Sequence, residues 1–186
     1  MICWPGSSWF HLRKNLFYLA DGFKMDYGGH DSFFEDNLVM AFGRKACIGF
    51  GSFKPGHGDV VRNNKCLVGL ETLGNDSELN SPAAVASTPI DPTVHNVMKE
   101  LDNVAMLEEC GDSNALISNN SYFTPNGNAS YTCWNMGREV SLADIQNTYK
   151  LEQGSTTERL PSVDVMLKWA RDLVLEDNLL FARSLE

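Results

Sequence analysis

Three of the four histidines in this 186-residue chain, His11, His30 and His57, lie ahead of Leu67. An imidazole is the side chain best suited to move a proton near neutral pH. Tyr27 stands three positions before His30, and Lys24, Lys54 and Arg62 lie near the two later histidines. Ammonium groups neutralise a carboxylate, and a guanidinium grips one with two parallel hydrogen bonds. Asp26, Asp31 and Asp59 are interleaved with these residues. Such a carboxylate set serves a hydrolase or holds Ca²⁺, and in turns it is also simply solvated.

The charge distribution agrees with this placement. Residues 1–66 carry 8 Lys+Arg against 6 Asp+Glu, whereas residues 67–186 carry 7 against 18. Chemistry aimed at an anion therefore has its home in the first segment. The whole-chain charge of −9 speaks against a nucleic-acid partner. Hydrophobic residues at 43% and charged residues at 21% are ordinary for a folded domain. No run approaches ~18 apolar residues, so no membrane partner is expected.

The N-terminal residues Met1 to Gly6 lack a basic region followed by an apolar one, so they do not read as a signal peptide. The five cysteines, Cys3, Cys47, Cys66, Cys110 and Cys133, form no C-x-x-C pair, so no structural zinc site is expected. They read as buried thiols, with a disulfide or two as the alternative in a secreted protein. Three glycosylation sequons begin at Asn75, Asn119 and Asn128. They matter only if the chain enters a secretory pathway.

The elements that must position these residues are set by a repeat. His11-Leu-Arg-Lys-Asn15-Leu-Phe17 recurs as Phe33-Phe-Glu-Asp-Asn37-Leu-Val39, Val60-Val-Arg-Asn-Asn64-Lys-Cys66 and Leu116-Ile-Ser-Asn-Asn120-Ser-Tyr122. The first three asparagines are similarly spaced, and the interval from Asn64 to Asn120 is close to two periods. A period in this range means a solenoid. The units are short β-like runs broken by Gly, Asn and Asp, and they lack the Leu spacing of leucine-rich repeats. The fold expected is all-β: a right-handed parallel β-helix of about five coils with a C-terminal helical cap. Asn suits its corners, because it tolerates the left-handed conformation and its amide can bond the Asn one coil away. Residues 22–37 lie over 49–64 without a gap, which places His30 over His57 about 5 Å away. Lys24, Tyr27, His30, Lys54 and His57 then share one face as a groove.

Residues 1–134 are read as coils, interrupted by a long excursion over 74–95. Residues 135–186 are read as the cap. Ser141-Leu-Ala-Asp144 is a helix-start pattern. Ser162 opens a longer helix whose Val163, Met166, Trp169, Ala170, Leu173 and Val174 form an apolar stripe. That helix is expected to cover the open edge of the stacked sheets. The first coil starts almost at Met1, which suggests the last coils and lid of a longer, monomeric protein. Near that end Trp4, Trp9 and Phe10 are expected to pack on further structure or to form a stacking platform.

The runs Asp21–Asn37, Gly49–Asn64 and Ile117–Asn128 resemble coils of pectin-lyase-like right-handed β-helix proteins. Ser141–Gln146 and Leu160–Ala170 are similar to their helical tail. The resemblance implies a carbohydrate-active, extracellular or secretory protein with an acidic polysaccharide as partner. Tyr27-Gly-Gly-His30-Asp31 is similar to the Y-G-x-D-P-H-D motif of mannuronan C5-epimerases, two residues shorter and without its Asp-Pro step. The implied reaction is proton abstraction from a uronate, of lyase or C5-epimerase type. His30 is then the base, with His57 beside it, and Tyr27 the acid or second base. Lys24, Lys54, Arg62 and Asp31 bind substrate. No cofactor or metal ligand is assigned, although Ca²⁺ is compatible. The alternatives are a glycoside hydrolase built on the paired carboxylates, and a non-catalytic β-helix binding module or fragment.

Overall fold

A computed structural model describes residues 8–20, 22–25, 29–41, 46–51, 54–69, 103–107, 110 and 114–183. Fourteen short strands dominate them. Sheet 1 holds β1 (His11–Arg13), β4 (Phe33–Glu35), β7 (Val60–Arg62) and β10 (Leu116–Ser118). Sheet 2 holds β2 (Leu16–Tyr18), β5 (Leu38–Met40), β8 (Lys65–Leu67), β11 (Ser121–Thr124) and β14 (Thr156–Arg159). Sheet 3 holds β3 (Phe23–Met25), β6 (Ile48–Phe50), β9 (Asn103–Leu107), β12 (Ser130–Cys133) and β13 (Arg138–Ser141). From β1 to β12 the chain contributes one strand to each sheet in turn and then starts again on the next level. Every pairing is parallel except β12 with β13. The architecture is β-rich and solenoid-like, as the repeat requires.

Sheets 1 and 2 meet at a tight corner of one residue pair, and the sequence dictates its form. The first corner residue is left-handed: Lys14 (φ 55°), Asp36 (56°), Asn63 (58°) and Asn119 (54°). The second is the repeating Asn. The conformation expected of that Asn therefore belongs to the residue before it. The Asn itself builds a ladder. Asn15 Nδ2 donates to Asn37 Oδ1 at 3.1 Å, Asn37 to Asn64 at 3.0 Å, and Asn64 to Asn120 at 3.0 Å. Each Oδ1 also accepts the backbone N–H of the Asn above it, at 2.9–3.0 Å. The remaining amide hydrogen of Asn37, Asn64 and Asn120 goes to Leu12 O, Phe34 O and Val61 O. One side chain thus satisfies the backbone of a bend that the sheets cannot reach.

The central residue of each three-residue strand in sheets 1 and 2 points inward. Phe34, Val61 and Ile117 meet Val39, Cys66 and Tyr122, and Phe23, Ile48, Phe50, Leu107 and Tyr131 close the core from sheet 3. Phe34 stacks on Phe23 with centroids 5.1 Å apart. In sheet 3 the gapless alignment fails. It sets Phe23 over Phe50 and Lys24 over Gly51, but Phe23 lies opposite Ile48 and Lys24 opposite Gly49. In sheet 1 it holds, with Phe33 opposite Val60. The second coil is longer by one residue pair in the turn between sheets 3 and 1, and the shared Gly-Phe pair hid this.

The C-terminal part divides the work expected of one cap. Helix α1 (Leu142–Asn147) starts at Ser141, whose Oγ accepts from the N–H of Asp144. Its Leu142 and Ile145 enter the core. Helix α2 (Val163–Arg183) was expected at the edge of the stack. It lies on the outer face of sheet 2, with Met166, Trp169, Ala170 and Leu173 against Leu38, Met40, Leu67 and Phe123. These positions alternate with the core residues and leave that face apolar, so it needs its own cover. Val163 and Val174, placed in the stripe from sequence, are exposed. The tail also adds β13 to sheet 3 and β14 to sheet 2. Cys110 and Cys133 form a disulfide, while Cys47 and Cys66 are free and buried. Among the described residues no helix is long and apolar enough to cross a membrane. The excursion over 74–95, Cys3 and Trp4 lie outside the described residues.

Candidate functional site

His30 and His57 each stand three positions before a sheet 1 strand, and the register of Phe33 with Val60 stacks them. Their ring centroids are 4.0 Å apart with planes tilted by 41°. Asp31 follows His30 in a left-handed conformation, φ 57°, and its side chain meets the Nδ1 edge of both rings. Its Oδ2 accepts Nδ1–H of His30 at 2.8 Å and Nδ1–H of His57 at 2.7 Å. Its Oδ1 accepts from the backbone N–H of Gly58 at 3.3 Å. The hydrogen bond from His57, then that from His30, lowers the Asp31 carboxyl from 3.8 to about 2. Asp31 is therefore a fixed anion joining two imidazoles.

With Nδ1–H directed at Asp31, the chemistry of each ring falls to Nε2. The two differ. His30 is buried, and its Nε2 accepts from Lys54 Nζ at 3.3 Å. The His57 side chain is 37% exposed, and its Nε2 meets no partner among the described residues. Trp9, 75% exposed, stands edge-on to His30 with centroids 5.5 Å apart. Ser8 Oγ accepts the backbone N–H of His30. Asp59 is buried, with Oδ1 accepting Ser32 N–H at 2.9 Å. Burial pushes its carboxyl from 3.8 up to about 6.

The structure thus brings His30, Asp31, Lys54 and His57 together. Arg62 is elsewhere, on the outer face of sheet 1, with Nε bonded to Glu35 Oε1. His11 Nε2 holds the other oxygen of Glu35 at 3.0 Å. The grip expected of Arg62 on a ligand is taken by Glu35, which sits opposite it one strand away. Lys24 lies on β3, its stem across Gly49. Tyr27 and Asp26 lie outside the described residues. Phe10 is partly buried and packs on the core.

A second polar cluster escaped the sequence reading. Glu152 is buried at the end of the Asn ladder. It accepts from Tyr122 and Ser155, from Tyr131 at 2.5 Å, and from Asn120 Nδ2 at 3.2 Å. Burial pushes its carboxyl upward against these four bonds. Gly154 at φ 76° and Glu152 at φ 58° mark the tight turn that places it. The Gly-Ser pair after Gln153 was the available signal. Compared with known protein families, curated proteins and solved structures, the chain matched none.

Proposed function

We propose that the three sheets close into a right-handed parallel β-helix of the pectin-lyase-like kind, and that this chain abstracts a proton from an acidic polysaccharide. The observation that carries the reading is the Asp31 carboxylate bonded to Nδ1 of His57, a side chain that is 37% exposed. An Asp–His pair of this kind orients the ring and stabilises the imidazolium formed when Nε2 takes a proton. The geometry favours His57 as the base over His30, which is buried and engaged by Lys54. The Lys54 ammonium lies beside the pair, where it would neutralise a uronate carboxylate and favour loss of the neighbouring C5 proton. Exposed Trp9 gives a sugar ring a surface to lie on. Tyr27 keeps the acid role by resemblance alone.

A hydrolase is less well supported, because Asp59 is buried and both Asp31 oxygens are engaged. The disulfide supports an oxidising, secretory setting, and Asn119 and Asn128 are exposed.

The test is incubation with alginate, pectate and related polyuronates in D2O. Deuterium at C5 or unsaturated uronate ends are expected, and loss of both in His57→Ala. No exchange and no cleavage with any polyuronate, by folded protein, overturns the proposal. New reducing ends without unsaturation would turn the assignment to a hydrolase.

A further inference from the structure

We propose that His30 Nδ1, His57 Nδ1 and Asp31 Oδ2 form a binding site for one divalent transition-metal ion of the zinc class. The three residues present ligand atoms that all lie within 4.8 Å of one another. Two imidazoles and one carboxylate are the donor set of three-ligand zinc and related sites, which leave a position for water. Two ring nitrogens argue against Ca²⁺ and Mg²⁺, which take oxygen ligands.

The spacing fits after a small opening. Metal bonds of about 2.0–2.1 Å at tetrahedral angles hold ligand atoms about 3.3 Å apart. Here the two Nδ1···Oδ2 separations are 2.8 and 2.7 Å. Each must widen by roughly half an ångström, a shift that falls on the His57 and Asp31 side chains, each about a third exposed. The carboxylate ligand is already held from behind. Gly58 N–H holds the other carboxylate oxygen, and Asp31 N–H donates to Gly58 O at 3.0 Å. Such outer contacts orient ligands and are worth tens-fold in affinity.

Lys54 opposes the ion, and this makes the site specific enough to test. When Nδ1 of a neutral imidazole ligates a metal, its proton resides on Nε2. At His30 that N–H faces the Lys54 ammonium, donor against donor, at 3.3 Å. Lys54 is exposed and must swing away, so the ion and the lysine contact exclude one another.

The site does not rest on the catalytic reading: with an ion on Nδ1 the His57 proton lies on Nε2, so metal binding and the base role are alternative states of the same pair. The full chain, stripped with chelator, is titrated with Zn²⁺ by calorimetry and with Co²⁺ by its visible absorption. One ion per chain is expected. His57→Ala should weaken binding at least tenfold, His11→Ala should leave it unchanged, and Lys54→Ala should tighten it. Circular dichroism of each variant confirms its fold. The absence of saturable binding, or one-to-one binding indifferent to His57→Ala, overturns the proposal. So does binding weakened by Lys54→Ala.

Discussion

Asn120 Nδ2 donates to Glu152 Oε2 at 3.2 Å, so the asparagine column ends on a buried carboxylate. Both oxygens of Glu152 accept two bonds each. Glu152→Ala leaves four buried donors without an acceptor, at about 1–3 kcal/mol each before relaxation. A loss of about 3–5 kcal/mol is expected by urea denaturation. Glu152→Gln should cost less, because the two tyrosine hydroxyls keep one oxygen. Equal losses in the two variants would mean that shape rather than hydrogen bonding holds this end together.

Position along the ladder should grade the effect of breaking it. Asn64 Oδ1 accepts both the N–H and the amide of Asn37, and its own amide serves Phe34 O and Asn120. Asn64→Leu is expected to cost about 3 kcal/mol, since several buried groups lose partners at once. Asn15 is exposed at the end of the column, and Asn15→Leu should cost under about 1 kcal/mol. Similar denaturation midpoints for the two variants would contradict the gradient.

Two aspartates give the stability curve opposite slopes. Asp31 falls to about 2 in the folded chain, so its contribution is present above about pH 4 and is lost as pH falls through 2. Asp59 rises to about 6, so the native state holds the extra proton. Its contribution is full below about pH 4 and fades as pH rises to 6. Asp59→Asn keeps the acceptor for Ser32 N–H and removes that fade. Relative to the parent, the variant should gain at most about 3 kcal/mol between pH 4 and pH 7. Parallel urea midpoints over that range would refute the assignment.

Cys110 and Cys133 close a loop 23 residues apart, tying the end of sheet 3 to the chain entering sheet 1. Replacing both with Ser should lower stability by about 3 kcal/mol. Reductant should do the same to the parent and nothing to the double variant, as read from thermal melts.

The asparagines made the stack legible. A polar residue recurring as Asn15, Asn37, Asn64 and Asn120, each time closing the same short apolar-to-polar run, has few explanations besides a bend repeated in register. The same regularity placed His30 over His57. What stayed hidden depends on turns of unequal length and on neighbours distant in sequence. Nothing local to Glu35 shows that Arg62 and His11 share it. Helix α2 was legible as an amphipathic helix. Its place on sheet 2 follows from the outward Leu38, Met40, Leu67 and Phe123, which become one surface only when three coils are stacked.

The corner between sheets 1 and 2 is a single residue pair at every level, whereas the connections from sheet 2 to sheet 3 run over 19–22, 41–47, 68–102 and 125–129. The ladder is the reason, because an added residue at its corner would carry one amide out of reach of the next. Insertions and deletions are thus confined to the other two corners, where the chain can lengthen without disturbing its neighbours. The paired histidines sit on one of those permissive corners, between sheets 3 and 1. The fold can therefore vary what surrounds them while the ladder holds each at its level.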